Sequence, residues 1–405
     1  MSVRREIPPA TVALASAHIG SDFAQGAIPA IGAILVLRQG DSLAEVGGLI
    51  FAVNAGSAVL QPLLGALADR THRAWNATAG VLIAALGLSA LGLSTTYSVM
   101  ITAAAICGSG IALFHPEAGR LVHLTSPAEL SSRAMSVFAL GGNIGFALGP
   151  IISTPVVLAA GQLGILLLGI VPLLAAVPLV WVTLRTAAAG GPIAAPVESN
   201  IAYVRNIAHP PQWSAFARLG AVITLRSAAF YALQALVPAY FVTVLHTSAA
   251  VGNTGLTVML VLGAGATLIG GWRARSEPQM RLISWPLVLV AAAIALLMLA
   301  NSPIVAMVAV ASVGAATFAG FSPSVVLGQR YLPTRTALAS GVAFGLAPGL
   351  GSALAILVGH LADTAGPHAA LAILLTSPVI ALPLAFTLPV PRTATSAPQA
   401  QAAVS

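Results

Sequence analysis

The chain has 405 residues, 58% of them hydrophobic and only 7% charged, with a formal net charge of +7. A soluble domain carries about 25% charged residues, so this chain lacks the charge to cover a water-facing surface, and a lipid bilayer is the solvent that fits. All seventeen basic residues are Arg, mostly set in short loops between apolar runs, and they form neither a stripe nor a tail, which argues against a nucleic-acid partner.

In lipid every backbone polar group must be satisfied internally, which leaves helices or closed barrels. Barrel strands alternate apolar and polar residues, whereas 81–93, 165–182 and 286–300 are apolar at nearly every position and so predict helices. Met1–Pro9 is short and basic, but the apolar stretch after it is too long for a signal peptide, holds Asp22 and lacks a small-residue cleavage site, so it reads as a retained first helix. With about 20 apolar residues needed per span, twelve are predicted: 10–37, 43–67, 75–93, 97–121, 134–159, 163–184, 213–243, 252–272, 282–299, 304–327, 337–361 and 370–388. Cys107 is the single cysteine and lies inside an apolar run, so no internal disulfide is possible.

The longest connection, Arg185–Gln212, contains Gly190, Gly191, Pro192, Pro196, Pro210 and Pro211. It divides the chain into a first six-helix half (1–185), a linker (186–212) and a second six-helix half (213–391), followed by a tail (392–405) expected to be disordered. An internal repeat supports the division. Phe114-His115-Pro116 recurs as Phe321-Ser322-Pro323, 207 positions on, and Ser136, Gly141 and Gly145 recur as Ser340, Gly345 and Gly349, 204 positions on. Two related six-helix halves form the architecture of major facilitator transporters, whose site lies at the midplane between halves.

The loop after the second helix, Gly65-Ala66-Leu67-Ala68-Asp69-Arg70-Thr71-His72-Arg73, resembles the signature of that superfamily. Gly65 permits close helix approach, Asp69 can face a helix N-terminus, and Arg70 and Arg73 can latch helix ends. His72 and Ala74 depart from the usual pattern, which suggests a weaker latch. In the fifth helix, Gly145, Gly149 and Pro150 resemble half of a motif associated with antiporters, although glycines four apart also serve ordinary helix packing. All of these are candidate gating residues.

Ionisable side chains at membrane depth cost about 2.5–3.5 kcal/mol on insertion scales and so point to function. His18 and Asp22 are four apart on one face of the first helix, with Gln25 beside them. Asp22 is mid-membrane, about 18 Å in at 1.5 Å per residue, and Arg226 on the seventh helix lies at similar depth. The fourth helix holds His115-Pro116-Glu117, with Arg120 close enough to pair with Glu117 near the inner rim. Together with Leu60-Gln61-Pro62, Phe114-His115-Pro116-Glu117, Gly141-Gly142-Asn143 and Leu361-Ala362-Asp363, these segments resemble the fosmidomycin-resistance exporters of the major facilitator superfamily over nearly the whole chain.

The resemblance implies an all-α bacterial inner-membrane protein that acts as a proton-coupled antiporter and exports a small, anionic or polar compound. Arg226, Asp22, Gln25 and Asn143 are the candidate substrate-binding residues. Asp22 is the candidate proton carrier, with Glu117 its alternative and His18 and His115 as relays; exchange between substrate and Asp22 at Arg226 would supply the coupling. Proton-coupled uptake of an organic anion would use the same residues, and a receptor or scaffold would not need charges on three cavity-lining helices. No Ser/His/Asp set, metal cluster or phosphate loop stands out, so no enzyme activity, metal or cofactor is expected, and the protein is expected to be a monomer.

With the N-terminus inside, the inner side holds Arg4, Arg5, Arg70, Arg73, Arg133, Arg185, Arg205, Arg273, Arg275, Arg281, Arg330, Arg335 and Arg392, and the outer side only Arg38. Both termini are therefore predicted to be cytoplasmic. Thr96→Cys should react with an impermeant thiol reagent in intact cells and Ser199→Cys should not; the opposite pattern would invert the topology.

Overall fold

The computed structural model describes residues 7–39, 43–71, 75–93, 95–188, 210–274 and 277–391, so His72, Arg73, most of the predicted linker and the tail lie outside it. Among the described residues every regular element is a helix. The first four are α1 (Pro9–Gln39), α2 (Leu43–Thr71), α3 (Trp75–Ala90, extended by the 3₁₀ turn Leu91–Leu93) and α4 (Tyr97–Thr125). The helical stretch Ser131–Leu168 runs on through Gly169 into Ile170–Ala188, but Gly161 interrupts it at φ 56°. That left-handed backbone suits glycine and folds the stretch into two spans, α5 (131–160) and α6 (162–188).

The second half comprises α7 (Trp213–Thr243), α8 (Ala249–Arg273), α9 (Gln279–Met298), α10, α11 and α12 (Pro367–Phe386). Two of these are irregular. α10 is Pro303–Ala319 continued past Gly320 by Phe321–Tyr331, and α11 passes from Thr336–Gly341 through a π-helical turn, Val342–Leu346, into Ala347–Ala365. Among the described residues ten helices are long and apolar enough to cross a membrane. One of them, Ser131–Arg185, is the pair α5 and α6, and the 31-residue α1 completes twelve spans in two six-helix halves.

Three apolar cores give the molecule its shape. One is shared by both halves and is built from the beginnings of odd-numbered helices and the ends of even-numbered ones: Leu14, Phe114, Leu121 and Phe138 pack with Val222, Val325, Tyr331 and Ala343. At the opposite end the core is split. Phe23, Ile31, Ala104 and Ile165 belong to a cluster within the first half, and Leu233, Phe241, Val290 and Val310 to a separate one within the second. The halves therefore join at one end, here the closed end, and part at the other.

Polar contacts seal the closed end. Asp69, at the end of α2, accepts hydrogen bonds from the backbone N–H groups of Ala337 and Leu338, both 2.9 Å away, in the first turn of α11. Those are unpaired donors at a helix N-terminus, where a carboxylate is also favoured by the helix dipole. Gln329 on α10 donates to the Gly119 carbonyl on α4 at 3.1 Å, and the Arg133 guanidinium on α5 sits 5.2 Å from the Trp272 ring centroid on α8. Gly65 lets α2 touch α11: a methyl group there would lie 2.5 Å from the Ala337 carbonyl oxygen.

Within the first half, α5 packs on α1 through Gly141, Gly145 and Gly149, which lie against the backbone at Ala15, Ile19 and Gly26. Close approach of this kind gives membrane helices their van der Waals contact. A methyl at Gly145 would meet the Ile19 carbonyl oxygen at 2.1 Å, whereas Gly265, on the exposed side of α8, has nothing within 4 Å. Gly145→Ala should lower the melting temperature of the detergent-solubilised protein, on a cost of about 1–3 kcal/mol for overpacking. Gly265→Ala should leave it unchanged or raise it; equal effects would show that the α1–α5 contact is not tight.

Candidate functional site

The polar residues of the bundle interior sit where the shared core ends and the split cores begin. On α1 the shared core stops at Ala17 and the first-half core starts at Phe23, so His18 and Asp22 occupy the interval. On α7 the corresponding limits are Ile223 and Ala229, which bracket Arg226. His115 lies one turn from Ile111 of the first-half core and beside Phe114 of the shared one. These groups are thus at the apex of the gap between the halves.

His18, Asp22 and His115 form one cluster. The two imidazole Nε2 atoms are 3.0 Å apart, His18 Nε2 is 3.2 Å from one Asp22 oxygen, and His115 Nε2 is 3.1 Å from the other. Each ring is oriented by its second nitrogen. His18 Nδ1 lies 2.8 Å from the Phe138 carbonyl oxygen on α5, and His115 Nδ1 lies 3.0 Å from the Ile111 carbonyl oxygen one turn back on α4. A carbonyl only accepts, so each Nδ1 carries the hydrogen, and the Nε2 of each neutral ring presents a lone pair. Two lone pairs and a carboxylate then converge with no donor among them. One added hydrogen on either Nε2 turns this repulsion into charge-assisted bonds to the other ring and to Asp22.

The surroundings fix the cluster. The Phe138 ring stacks on His18 at 4.1 Å between centroids, and Phe344, from the π-helical turn of α11, stands 5.7 Å from His115 and 6.3 Å from His18. A methyl at Gly142 would meet His18 Nε2 at 2.5 Å and an Asp22 oxygen at 2.6 Å, so that glycine leaves the room the cluster fills. Both imidazoles are buried, while the Asp22 side chain keeps 17% exposure.

Arg226, 4% exposed, donates to the Ser324 hydroxyl on α10 at 3.3 Å and lies 5.9 Å from the Phe321 ring centroid. The ion pairs formed among the described residues do not include it; Asp22 pairs with the two histidines instead. Phe321 and Phe344 are 5.4 Å apart, so two phenyl rings lead from Arg226 to the histidines.

Other candidates fall elsewhere. Glu117 is fully buried and forms a two-point ion pair with Arg120, whose Nε is 3.1 Å from one carboxylate oxygen. Gln25 donates to the Asn54 side-chain Oδ1 of α2 on the open side of the gap, and Asn143 donates to the Thr267 hydroxyl of α8 at 3.4 Å, joining the halves. Gln61 donates to Ser57 on its own helix at 2.7 Å. Arg70 is exposed at the end of α2. Reading the sequence missed Tyr231, which is partly exposed on α7 within electrostatic reach of Asp22, and it missed Phe344. Phe321 was open to discovery, because the repeat pairs it with Phe114 beside His18. The expectation of no metal-type cluster needs correction, since His18, Asp22 and His115 each offer a ligand atom within 4.8 Å of the others; their convergence comes from tertiary contact between α1 and α4.

This architecture defines a multi-pass membrane transporter, and the chain belongs to the Major Facilitator Superfamily, whose family model matches residues 12–354. It is 27% identical over 387 residues to YfnC of Bacillus subtilis (strain 168), an uncharacterized MFS-type transporter, covering 94% of this chain and 93% of that one. It is 26% identical over 357 residues to the fosmidomycin resistance protein of Escherichia coli (strain K12), covering 87% and 86%. The fold matches the crystal structure of FucP in the outward conformation with a TM-score of 0.71 at 14% identity, covering 94% of this chain and 100% of FucP. It also matches the proton:xylose symporter XylE, with a TM-score of 0.69 at 16% identity, covering 94% and 95%.

Gly142 gives a direct test of the cluster's importance. The atoms nearest a methyl at Gly142 belong to the His18 and Asp22 side chains, so Gly142→Ala should fold with a near-native melting temperature yet lose about tenfold or more in substrate flux, the scale expected for misplaced groups. Native flux in a folded Gly142→Ala protein would show that the His18–Asp22–His115 geometry is not used.

Proposed function

We propose that the protein is a proton-driven antiporter that exports a small anionic or polar compound across the bacterial inner membrane by alternating access. The observation that carries this reading is the pairing, at one apex, of a buried arginine that joins no ion pair among the described residues with a cluster of acceptors that requires a proton. A buried charge is costly unless it is paired, and an anionic group on a substrate would pair Arg226. The export direction draws support from the relative that bears the name of fosmidomycin resistance. The Arg distribution supports cytoplasmic termini, which makes the open end outward-facing.

Antiport requires proton and substrate to exclude each other. Without its proton the cluster is acceptor-only, and a substrate reaching across from Arg226 with an O–H or N–H group would supply the missing hydrogen. Substrate donor and proton would then compete for the same lone pairs. Asp22, His18 and His115 together carry the proton on this reading, whereas Glu117 stays committed to Arg120. Gln25, Asn143 and Tyr231 would offer polar contacts, and Asp69 with Gly65 would act as the inner gate of a monomeric transporter.

Charge counting favours a second reading, proton-coupled uptake of an organic anion. The deprotonated cluster and Arg226 sum to zero, and so do the protonated cluster, Arg226 and a monoanion; if only a neutral apex closes, the two are carried together. Flux in proteoliposomes with an imposed pH gradient separates the readings: antiport predicts accumulation against an opposing proton flow, and symport predicts accumulation with it. Flux indifferent to the gradient overturns both.

Arg226→Lys should keep part of the affinity, since charge survives but the planar fork is lost. Arg226→Leu should lose anionic substrates by about 30-fold or more, for a cost of 2–5 kcal/mol, and neutral ones far less. Asp22→Asn should abolish the response to the pH gradient while the protein remains folded. Affinity measured in detergent, with melting temperature alongside, checks each; equal losses for anionic and neutral compounds would remove anion binding from Arg226.

A further inference from the structure

We propose that His18, Asp22 and His115 form a binding site for one divalent transition-metal ion of the zinc class, open to the gap between the halves. The ligand set is two imidazole nitrogens and a carboxylate, which suits Zn²⁺, Co²⁺ and Ni²⁺ rather than Mg²⁺ or Ca²⁺. The spacing fits as well. Metal–ligand bonds of about 2.0–2.1 Å hold two ligand atoms roughly 3.0 Å apart at a right angle and roughly 3.4 Å apart at the tetrahedral angle. The two Nε2 atoms, 3.0 Å apart, fall between those limits, and each Asp22 oxygen faces one of them, at 3.2 Å from His18 and 3.1 Å from His115, so the carboxylate would hold the ion through both oxygens.

The outer contacts are those of ligating histidines. Such rings donate the hydrogen of their other nitrogen to a carbonyl or carboxylate, which fixes tautomer and orientation. His18 does so to Phe138 and His115 to Ile111. The two Nε2 lone pairs are thereby left unprotonated 3.0 Å apart, with a carboxylate beside them to neutralise part of the ion's charge. The exposure of Asp22 supplies a route from the gap and room for water in the remaining coordination positions. An ion here would tie α1 to α4 and occupy the lone pairs that proton and substrate need, so it would block transport. Binding itself follows from the ligand geometry and does not depend on which way the transporter runs.

The test is calorimetric titration of the detergent-solubilised full-length protein with ZnCl₂, with Co²⁺ absorption as a second readout of nitrogen and oxygen ligation. One Zn²⁺ per chain is expected at micromolar concentration, with no binding of Mg²⁺ or Ca²⁺. His18→Gln, Asp22→Asn and His115→Gln should each weaken it at least 30-fold while melting within a few degrees of the parent. The surface double variant His246→Gln/His360→Gln should bind as the parent does. Binding that survives the three cluster variants, or is lost in the surface double, would overturn the proposal, as would no binding at 1 mM. Should one cluster variant fail to fold, the other two and the Co²⁺ spectrum of the parent still decide the outcome: a spectrum without imidazole ligation rejects the site.

Discussion

Two imidazoles that have each given their Nδ1 hydrogen to a helix carbonyl cannot stand 3.0 Å apart beside a carboxylate unless a cation lies among them. This constraint organises the apex. It draws α1 and α4 together through His18, Asp22 and His115, and it sets α5 against α1 through the Phe138 carbonyl. Gly142 leaves the space that His18 and Asp22 fill. Whether the cation is a proton or a metal ion, its loss leaves repelling acceptors between α1 and α4, while α1 is held against α5 at Gly141, Gly145 and Gly149. The site and the helix packing are therefore one mechanical unit.

The second half answers with a cation of its own. Arg226 has Ser324 and the Phe321 ring for company, while the acidic group at its depth, Asp22, is bound to histidines. Opposite charges are thus kept on opposite halves with phenyl rings between them. If Asp22 and Arg226 formed a direct ion pair, the apex would satisfy itself and have little need of substrate. Diverting Asp22 to His18 and His115 leaves the guanidinium available to an anion.

Much of this was legible in the sequence. The twelve spans follow from apolar runs of bilayer length, and even the division at Gly161 was signalled by glycine between two apolar stretches, where the structure shows a left-handed backbone rather than a loop. His18 and Asp22 share a face because four residues make about one helical turn. What could not be read were contacts between helices. The pairing of Glu117 with Arg120 three positions on could be read, but nothing local shows that His115, two positions before Glu117, reaches Asp22 on α1. The splitting of the core at one end was hidden too, since Leu14 in the shared core and Ile31 in a split one are equally apolar. Phe344 was missed because its importance comes from a π-helical turn, and a single widened turn leaves no mark on hydrophobic periodicity.

That turn also connects the closed end to the apex. Asp69 holds α11 by the N–H groups of Ala337 and Leu338, and Phe344 lies about two turns further along the same helix, covering the histidine pair. Gly341, between these points, and Gly345, next after Phe344, press on Gln61 of α2. On the alternating-access reading, opening the closed end requires α11 to leave Asp69. Phe344 sits on the π-helical turn that follows these first turns, so on that reading their departure would draw Phe344 from the face of His115. The motion that parts the gate then uncovers the cluster from the closed side, while closure at the other end covers Asp22. On that reading one helix would both open the gate and change the side from which a proton reaches the cluster.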